Sequence, residues 1–522
     1  MKADYAVGLL AAVVVLQLVK LYKKYSLGIS SENGIPLPPG PPPRWFWSNA
    51  LPTVKTAHAL TDFIPEHGPV MSFRQGSKVI IVIGSVEAAT DIMEKEGGSL
   101  VDRPRSIAAG EILSKGMRIL LTSGDQFRRL RKAVHTHLQP KAAQAYQAMQ
   151  SENARIFVSD ILDDPKNHQN HAKRFVASII LRVTYGKSSP TAIDDPEVVR
   201  IHKVMAHIQI AMRPGAFLVD RVPLLRYLPG YAKQLTKWHL EELGLYRQQL
   251  GRVKSEIEHN KAGSSFIKTL LENTENHRLS TDEMAYLGGS LFGAGSETAS
   301  NTSIGLTNII MAAACYPLAQ AKVHEELDRV IGSDRVPMFE DASSLPQLHA
   351  FLWEALRWRP VIPDFPILQL KILFGMDITF PRAQQSMGVI GKVLLYDTRH
   401  LVYCFFRAIS RDPIAFPDPE SFDPQRWLDS EGRLRDDMNM KLFTYGFGRR
   451  ICPGMHLANN SLYISLAFLL WSFRIAQRPD ALIDTHAFGD TLMSHAAPFE
   501  VDFIPQTDVT KLQEMVMDGY LD

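Results

Sequence analysis

The chain has 522 residues, 45% of them hydrophobic, and a formal net charge of +2. That length holds one large core or a few small domains, and so small a charge makes no case for binding nucleic acid. Its three cysteines, Cys315, Cys404 and Cys452, are odd in number and widely spaced, which argues against a disulfide scaffold and suits a reducing compartment.

Tyr5 to Val19 is apolar apart from Gln17, and Lys20, Lys23 and Lys24 follow. Counting Leu21 and Tyr22, the segment is just long enough to span a membrane with help from snorkelling lysines. Basic residues after the span place the body of the chain on the cytoplasmic side. A cleaved signal peptide would need a small-residue site after the apolar run, and residues 18–24 offer none. Residues 1–25 are therefore read as an uncleaved anchor. Residues 26–45 contain a proline-rich run, Gly34 to Pro43, which makes a stiff spacer. Its place between anchor and body favours a linker over an SH3-type ligand. No repeat or polar linker divides the remainder, so 46–522 is read as one domain.

Val70 to Arg74 and Lys78 to Ile83, around Gln75-Gly76-Ser77, read as a β-hairpin. Ser85 is placed to cap a helix over Val86–Glu96. Gly124 to His135 is a basic helical stretch, by charge alone a solvated face. Residues 206–250 mix helix with the loop signals Pro214-Gly215 and Leu228-Pro229-Gly230. Ser280 and Glu283 form a capping-box pattern at the start of a helix expected to run to about Cys315. Gly288, Gly289, Gly293 and Gly295 interrupt it, each costing about 1 kcal/mol against alanine. A helix that accepts them needs close backbone approach or a kink. Glu297 and Thr298 follow at once, a carboxylate able to relay protons beside a hydroxyl able to donate a hydrogen bond. Glu354 and Arg357 are an i, i+3 ion pair in an apolar helix. Asn301-Thr302-Ser303 and Asn459-Asn460-Ser461 fit the glycosylation pattern but lie in expected core helices, and are read as chance.

Phe443 to Gly454 is a loop with three glycines that delivers Cys452 just before an apolar segment, His456 to Phe473, with helical spacing. A helix N-terminus favours an anion, so a thiolate is expected there. Glycines let the backbone approach something large and flat, and two neighbouring arginines supply counter-charges. Haem fits: Cys452 would bind the iron and Arg450 would pair with a propionate. The stretch Tyr445-x-x-Gly448-x-Arg450-x-Cys452-x-Gly454 resembles the F-x-x-G-x-R-x-C-x-G loop of the cytochrome P-450 superfamily, the haem-thiolate monooxygenases, with Tyr445 for the usual Phe.

The resemblance implies a mainly α fold with small β-sheets (α+β) behind an N-terminal transmembrane helix, and heme b with Cys452 as axial thiolate ligand. It implies that Arg131 contacts a propionate while Phe127 packs, in place of a W-x-x-x-R motif. Ala294-Gly295-Ser296-Glu297-Thr298 matches the family's [AG]-G-x-[DE]-T, with Thr298 and Glu297 delivering protons. Pro419 to Trp427 resembles P-E-x-F-x-P-x-R-F/W, whose arginine, here Arg426, joins Glu354 and Arg357 in a buried lock. Residues 206–250 become a lid over the substrate channel. The local texture looks most like microsomal fungal members acting in secondary metabolism or xenobiotic oxidation. Electrons would come from NADPH–cytochrome P-450 reductase, with cytochrome b5 as a further partner, at the endoplasmic reticulum membrane with the catalytic domain cytosolic.

Between Pro360 and Ala408 the resemblance breaks. Val361-Ile362-Pro363 begins as expected, but no I-P-x-G-T turn follows, and the match resumes only at Ala408-Ile409-Ser410-Arg411-Asp412-Pro413. Residues 361–407 are either an insertion that reshapes the pocket or translated non-coding sequence. Two rival functions stand beside monooxygenation of an apolar substrate. One is an O2-independent haem-thiolate isomerase or dehydratase, which has less need of Glu297 and Thr298; the other is an inactive or misfolded haem-binding pseudoenzyme.

Overall fold

The structure is a computed structural model that describes residues 37–42, 49 and 61–517, except 76–77, 96, 99, 189–190, 193, 214, 297–298, 363–364, 370–377, 380–391, 394–400, 405, 437–442 and 490–493. The chain forms two compact units, one of 1–104, 364–417 and 446–451, the other of 105–363, 418–445 and 452–522.

The first unit is built on a four-stranded sheet. β1 (Val70–Gln75) and β2 (Lys78–Ile83) pair antiparallel with Val70 opposite Ile83, as the hairpin pattern predicts. Of the departing segment 361–407, four strands are described: β3 (Phe365–Gln369), β4 (Ile378–Thr379), β5 (Lys392–Val393) and β6 (Leu401–Cys404). β6 lies parallel to β2 and antiparallel to β3, giving the order β1-β2-β6-β3, while β4 and β5 pair only with each other. Met71, Phe73, Ile80, Val82 and Ala408 form this unit's small core. The proline run lies along the hairpin: Ser72 donates its N–H to the Pro39 carbonyl (2.8 Å) and its hydroxyl to that of Pro38 (2.6 Å). Ser85 accepts the Ala88 N–H at 3.2 Å and starts a helix, Val86–Ala89, that widens into a π-turn over Thr90–Lys95 instead of continuing as α.

The second unit is helical. Its longer helices are α1 (Gly124–Leu138), α2 (Gln147–Asp163), α3 (His168–Tyr185), α4 (Pro196–Met212), α5 (Lys233–Glu258), α6 (Thr281–Ser296), α7 (Ala299–Cys315), α8 (Pro317–Val330), α9 (Pro346–Trp358), α10 (Met455–Ser472) and α11 (Val509–Met517). A two-stranded sheet, β7 (Phe473–Gln477) with β8 (Val501–Pro505), follows α10. α1 buries Phe127, Leu130, Ala133, Val134 and Leu138 at helical spacing and exposes Arg128, Lys132 and His135. α10 is buried without interruption from Ser461 to Ser472, as its unbroken apolar run requires. Among the described residues no single helix is long and apolar enough to cross a membrane, and the expected anchor, 1–25, lies outside them.

The single helix expected from Ser280 to Cys315 is two elements, α6 and α7, with Glu297 and Thr298 between them and outside the described residues. Its start is as read: Glu283 N–H donates to the Ser280 hydroxyl (3.2 Å) and Ser280 N–H to the Glu283 carboxylate (2.9 Å). Two further helices grip this turn. Arg129 of α1 reaches Glu283 at 3.0 Å, and Arg247 of α5 forks onto Asp282 at 2.7 and 2.9 Å.

Close approach accounts for three of the four glycines of α6. A Cβ on Gly289 would stand 2.3 Å from the Tyr246 ring, one on Gly288 2.6 Å from Ile267, and one on Gly293 2.6 Å from Met205. Three neighbouring elements thus rest directly on the α6 backbone. Tyr246 is fully buried and lies within reach of the Arg118 guanidinium (3.4 Å), so it has nowhere to retreat. Gly289→Ala should therefore lower stability by about 1–3 kcal/mol through overpacking, despite the gain in helix propensity. Chemical denaturation reads this; a variant as stable as the parent would mean that Tyr246 yields.

Candidate functional site

Cys452 lies three residues before α10 and is a free thiol with partial access to solvent. Its N–H donates to the Tyr445 carbonyl at 2.8 Å. Burial pushes the thiol above its ordinary pKa, while the Gly454 N–H and the Arg131 charge pull it down. Desolvation is the largest of these three effects. A bound metal cation reverses that balance, because a coordinating thiol is deprotonated outright. Among the described residues no cluster of three or more His, Cys, Asp or Glu side chains is arranged to hold a metal ion. Haem is a cofactor that carries the other ligands of a metal on Cys452 with it.

The surroundings in the same unit suit that group. Arg131 is half-buried on α1; burial lowers its pKa and the Cys452 charge opposes this. Phe127, one turn earlier, is buried and packs. Ala294 is exposed although Phe292 and Gly293 beside it are buried, so this turn of α6 borders open space. Gly454 caps α10, and a Cβ there would lie 4.0 Å from the Cys452 sulfur, ordinary contact. The Tyr445 hydroxyl donates to Asn459 Oδ1 at 2.7 Å, and burial with the Cys452 charge keeps the phenol protonated.

In the first unit, Arg450 Nε donates to the Val101 carbonyl at 2.6 Å. Burial and the Arg450 charge lower the Arg103 pKa to about 9. Two half-buried guanidiniums whose charges act on each other fit an anion, and a carboxylate is the natural complement. Sequence reading missed Arg103. In Asp102-Arg103-Pro104-Arg105 nothing distinguishes it from Arg105, which instead pairs with Glu111. Gly448 has a reason to be glycine besides the ligand approach expected of the loop. Its φ is +61° and a Cβ would stand 2.2 Å from the Met93 carbonyl oxygen, so backbone packing alone demands glycine there.

Glu354, Arg357 and Arg426 come together in the second unit. Arg357 forks onto Glu354 at 2.8 and 2.7 Å, and Arg426 Nε reaches the same carboxylate at 3.2 Å. The Trp427 indole N–H (3.0 Å) and the Asp423 N–H (2.8 Å) complete its shell; neither was read from sequence as part of the cluster. Arg357 in turn donates to the Pro419 and Ser421 carbonyls at 2.7 and 2.9 Å, which fastens the 419–427 segment to α9. Glu326 of α8 holds the start of α9 by accepting the Gln347 and Leu348 N–H groups at 3.1 and 3.0 Å.

The lid region resolves into α4, short turns over Leu218–Asp220 and Pro223–Tyr227, and α5. Polar groups tie these turns to a π-helix, Ile107–Leu113. Asp220 accepts the Ile107 and Ala108 N–H groups at 2.6 and 3.1 Å, and Glu111 joins Arg105 and Arg226, each at 2.5 Å. Deeper in, Arg118 is bonded to Glu242 of α5, and His239 faces both the Leu113 carbonyl (2.8 Å) and the Tyr286 hydroxyl (2.9 Å).

The family model described as Cytochrome P450 matches residues 38–503. Cytochrome P450 monooxygenase 64 of Postia placenta is 43% identical over 472 residues, covering 90% of this chain and 91% of that relative. Cytochrome P450 monooxygenase 113 of the same fungus is 41% identical over 488 residues, covering 93% and 94%. Cytochrome P450 monooxygenase atE of Aspergillus terreus is 28% identical over 86% of this chain and 84% of its own.

Removing Glu354 would leave two almost fully buried guanidiniums facing each other. Glu354→Ala should cost about 3–5 kcal/mol and abolish haem incorporation. The check is haem content per mole of purified protein, and normal yield of haem-loaded variant would refute it.

Proposed function

Since the chain belongs to the cytochrome P450 family, as a haem-thiolate monooxygenase with haem b as its cofactor, we propose that it oxidises apolar organic substrates at a membrane surface, in secondary metabolism or xenobiotic oxidation. The observation that carries this reading is the apolar face of the lid. Leu218, Val222, Leu224, Tyr227 and Leu228 are exposed within eleven residues of chain, Leu224 and Tyr227 by 76% and 75%. Clustered exposed apolar side chains mark a surface that another apolar phase covers.

Bound haem supplies the activation of dioxygen, and the protein supplies binding, orientation and protons. Cys452 Sγ would hold the iron, with the Gly454 N–H and Arg131 offsetting its negative charge. Arg131 and Arg450 are assigned to the haem carboxylates from the matched motifs, and Arg103 stands beside Arg450 within its own unit. Thr298 and Glu297 are assigned from the matched motif, the hydroxyl to donate a hydrogen bond and the carboxylate to pass protons from solvent. Glu354, Arg357 and Arg426 act at a distance from the chemistry, by holding the 419–427 segment on α9.

Electrons would arrive from NADPH–cytochrome P450 reductase, with cytochrome b5 as a second donor. The exposed Arg128 and Lys132 on α1 support an acidic partner there. The membrane reading joins this lid to the apolar Tyr5–Val19 run and the lysines after it, and makes the enzyme a single-pass protein of the endoplasmic reticulum facing the cytosol.

With reductase and a panel of apolar compounds, NADPH consumption should rise with at least one compound, and its product should carry one oxygen atom from labelled O2. Turnover without oxygen uptake would support an isomerase or dehydratase instead. Leu224→Asp combined with Tyr227→Asp should raise KM for a bilayer-dissolved substrate about ten-fold, from ~1.4 kcal/mol of lost apolar burial, with kcat held. An unchanged KM would remove the lid from the membrane.

A further inference from the structure

The cysteine loop departs from its family pattern at one defined position, Tyr445, and the added hydroxyl has a partner. It donates to Asn459 Oδ1 at 2.7 Å. The backbone of the same tyrosine accepts the Cys452 N–H at 2.8 Å. Asn459 stands in the second turn of α10, which begins three residues after Cys452. These contacts close a ring. It runs from Cys452 through Gly454 into α10, across the Asn459 side chain to the Tyr445 phenol, down that residue to its carbonyl and back to the Cys452 N–H. A phenylalanine would fill the same space but leave the ring open between side chain and helix.

We propose that Asn459 is a positioning residue for the thiolate, acting through the Tyr445 hydroxyl to fix the carbonyl that holds Cys452. The inference rests on haem-thiolate ligation by Cys452. It gives Asn459, part of an apparent chance glycosylation pattern, a role that pattern did not suggest. A hydroxyl–amide bond tying a loop to a rigid helix removes freedom that packing of a ring alone leaves, because a ring can slide in its slot and a bonded hydroxyl cannot. The bond holds the loop at the residue whose displacement would let the sulfur leave its ligand position.

The test uses full-length holoenzyme in membranes and follows the ferrous carbon monoxide complex. The readout is the rate at which its red-shifted, thiolate-ligated Soret band gives way to the unshifted band on mild heating. Tyr445→Phe and Asn459→Ala should each speed that loss about five-fold, the worth of one hydrogen bond. The double variant should lose the band no faster than either single, because both remove the same bond. Asn459→Asp, which keeps an acceptor oxygen in place, should restore the parental rate. The haem midpoint potential should shift in the same sense in both single variants, which a general loss of stability would not produce. Parental kinetics in both singles, or additive effects in the double, would overturn the proposal while a parental thiolate band left the ligation standing. Absence of the thiolate band from the parent would overturn both.

Discussion

Desolvation of one sulfur is the constraint behind the rest of this structure. A cysteine that must act as an anion sits where burial opposes the anion, and the Gly454 N–H and Arg131 do not by themselves reverse that. The fold meets that cost by holding the sulfur in place through the bonds around it. The loop is bonded back to Tyr445, the helix behind it is buried along most of its length, and the 419–427 segment is fastened to α9. The Glu354 cluster fits the same logic. A buried ion group is a poor source of net stability, but it is intolerant of misplacement, and five donors converge here on one carboxylate from α9 and from the segment that follows Ser421.

Much of this was legible in the sequence where one residue type has one physical use. The hairpin, the capping box at Ser280 and a buried helix after the cysteine follow from local pattern, the Glu354–Arg357–Arg426 grouping follows from the family resemblance, and the structure carries each of them. What was not legible depends on distant partners. Gly288, Gly289 and Gly293 of α6 are explained by Ile267, Tyr246 and Met205, which arrive from other elements. Arg103 and Arg105 are alike in sequence, and their difference lies in a remote arginine for one and a glutamate for the other. Gly448 showed that a glycine in a ligand-binding motif can answer to the backbone behind it. The transmembrane helix and the Glu297–Thr298 pair rest on sequence alone.

Residues 361–407 carry a separate lesson about sheets. The resemblance breaks there for want of a turn motif, yet β6 takes an interior place in the sheet between β2 and β3. A sheet selects for a short extended run with suitable neighbours, and Leu401-Val402-Tyr403-Cys404 is such a run whatever precedes it. The register shift between Pro366 and Leu368 falls where a proline cannot donate to the ladder.

The bonds between the Ile107–Leu113 helix and the lid turns differ in kind from those deeper in. Arg105, Glu111, Asp220 and Arg226 all meet water, and pairs of that sort contribute little each and weaken as salt rises. Such a seam parts and reforms on the timescale of loop motion, while the Arg118–Glu242 pair behind it, almost wholly shielded, does not share that freedom. If these turns are the lid that the resemblance implies, a guest molecule would meet a closure of wet charges in front of a dry ion pair, and its own apolar contacts would decide how long it stays.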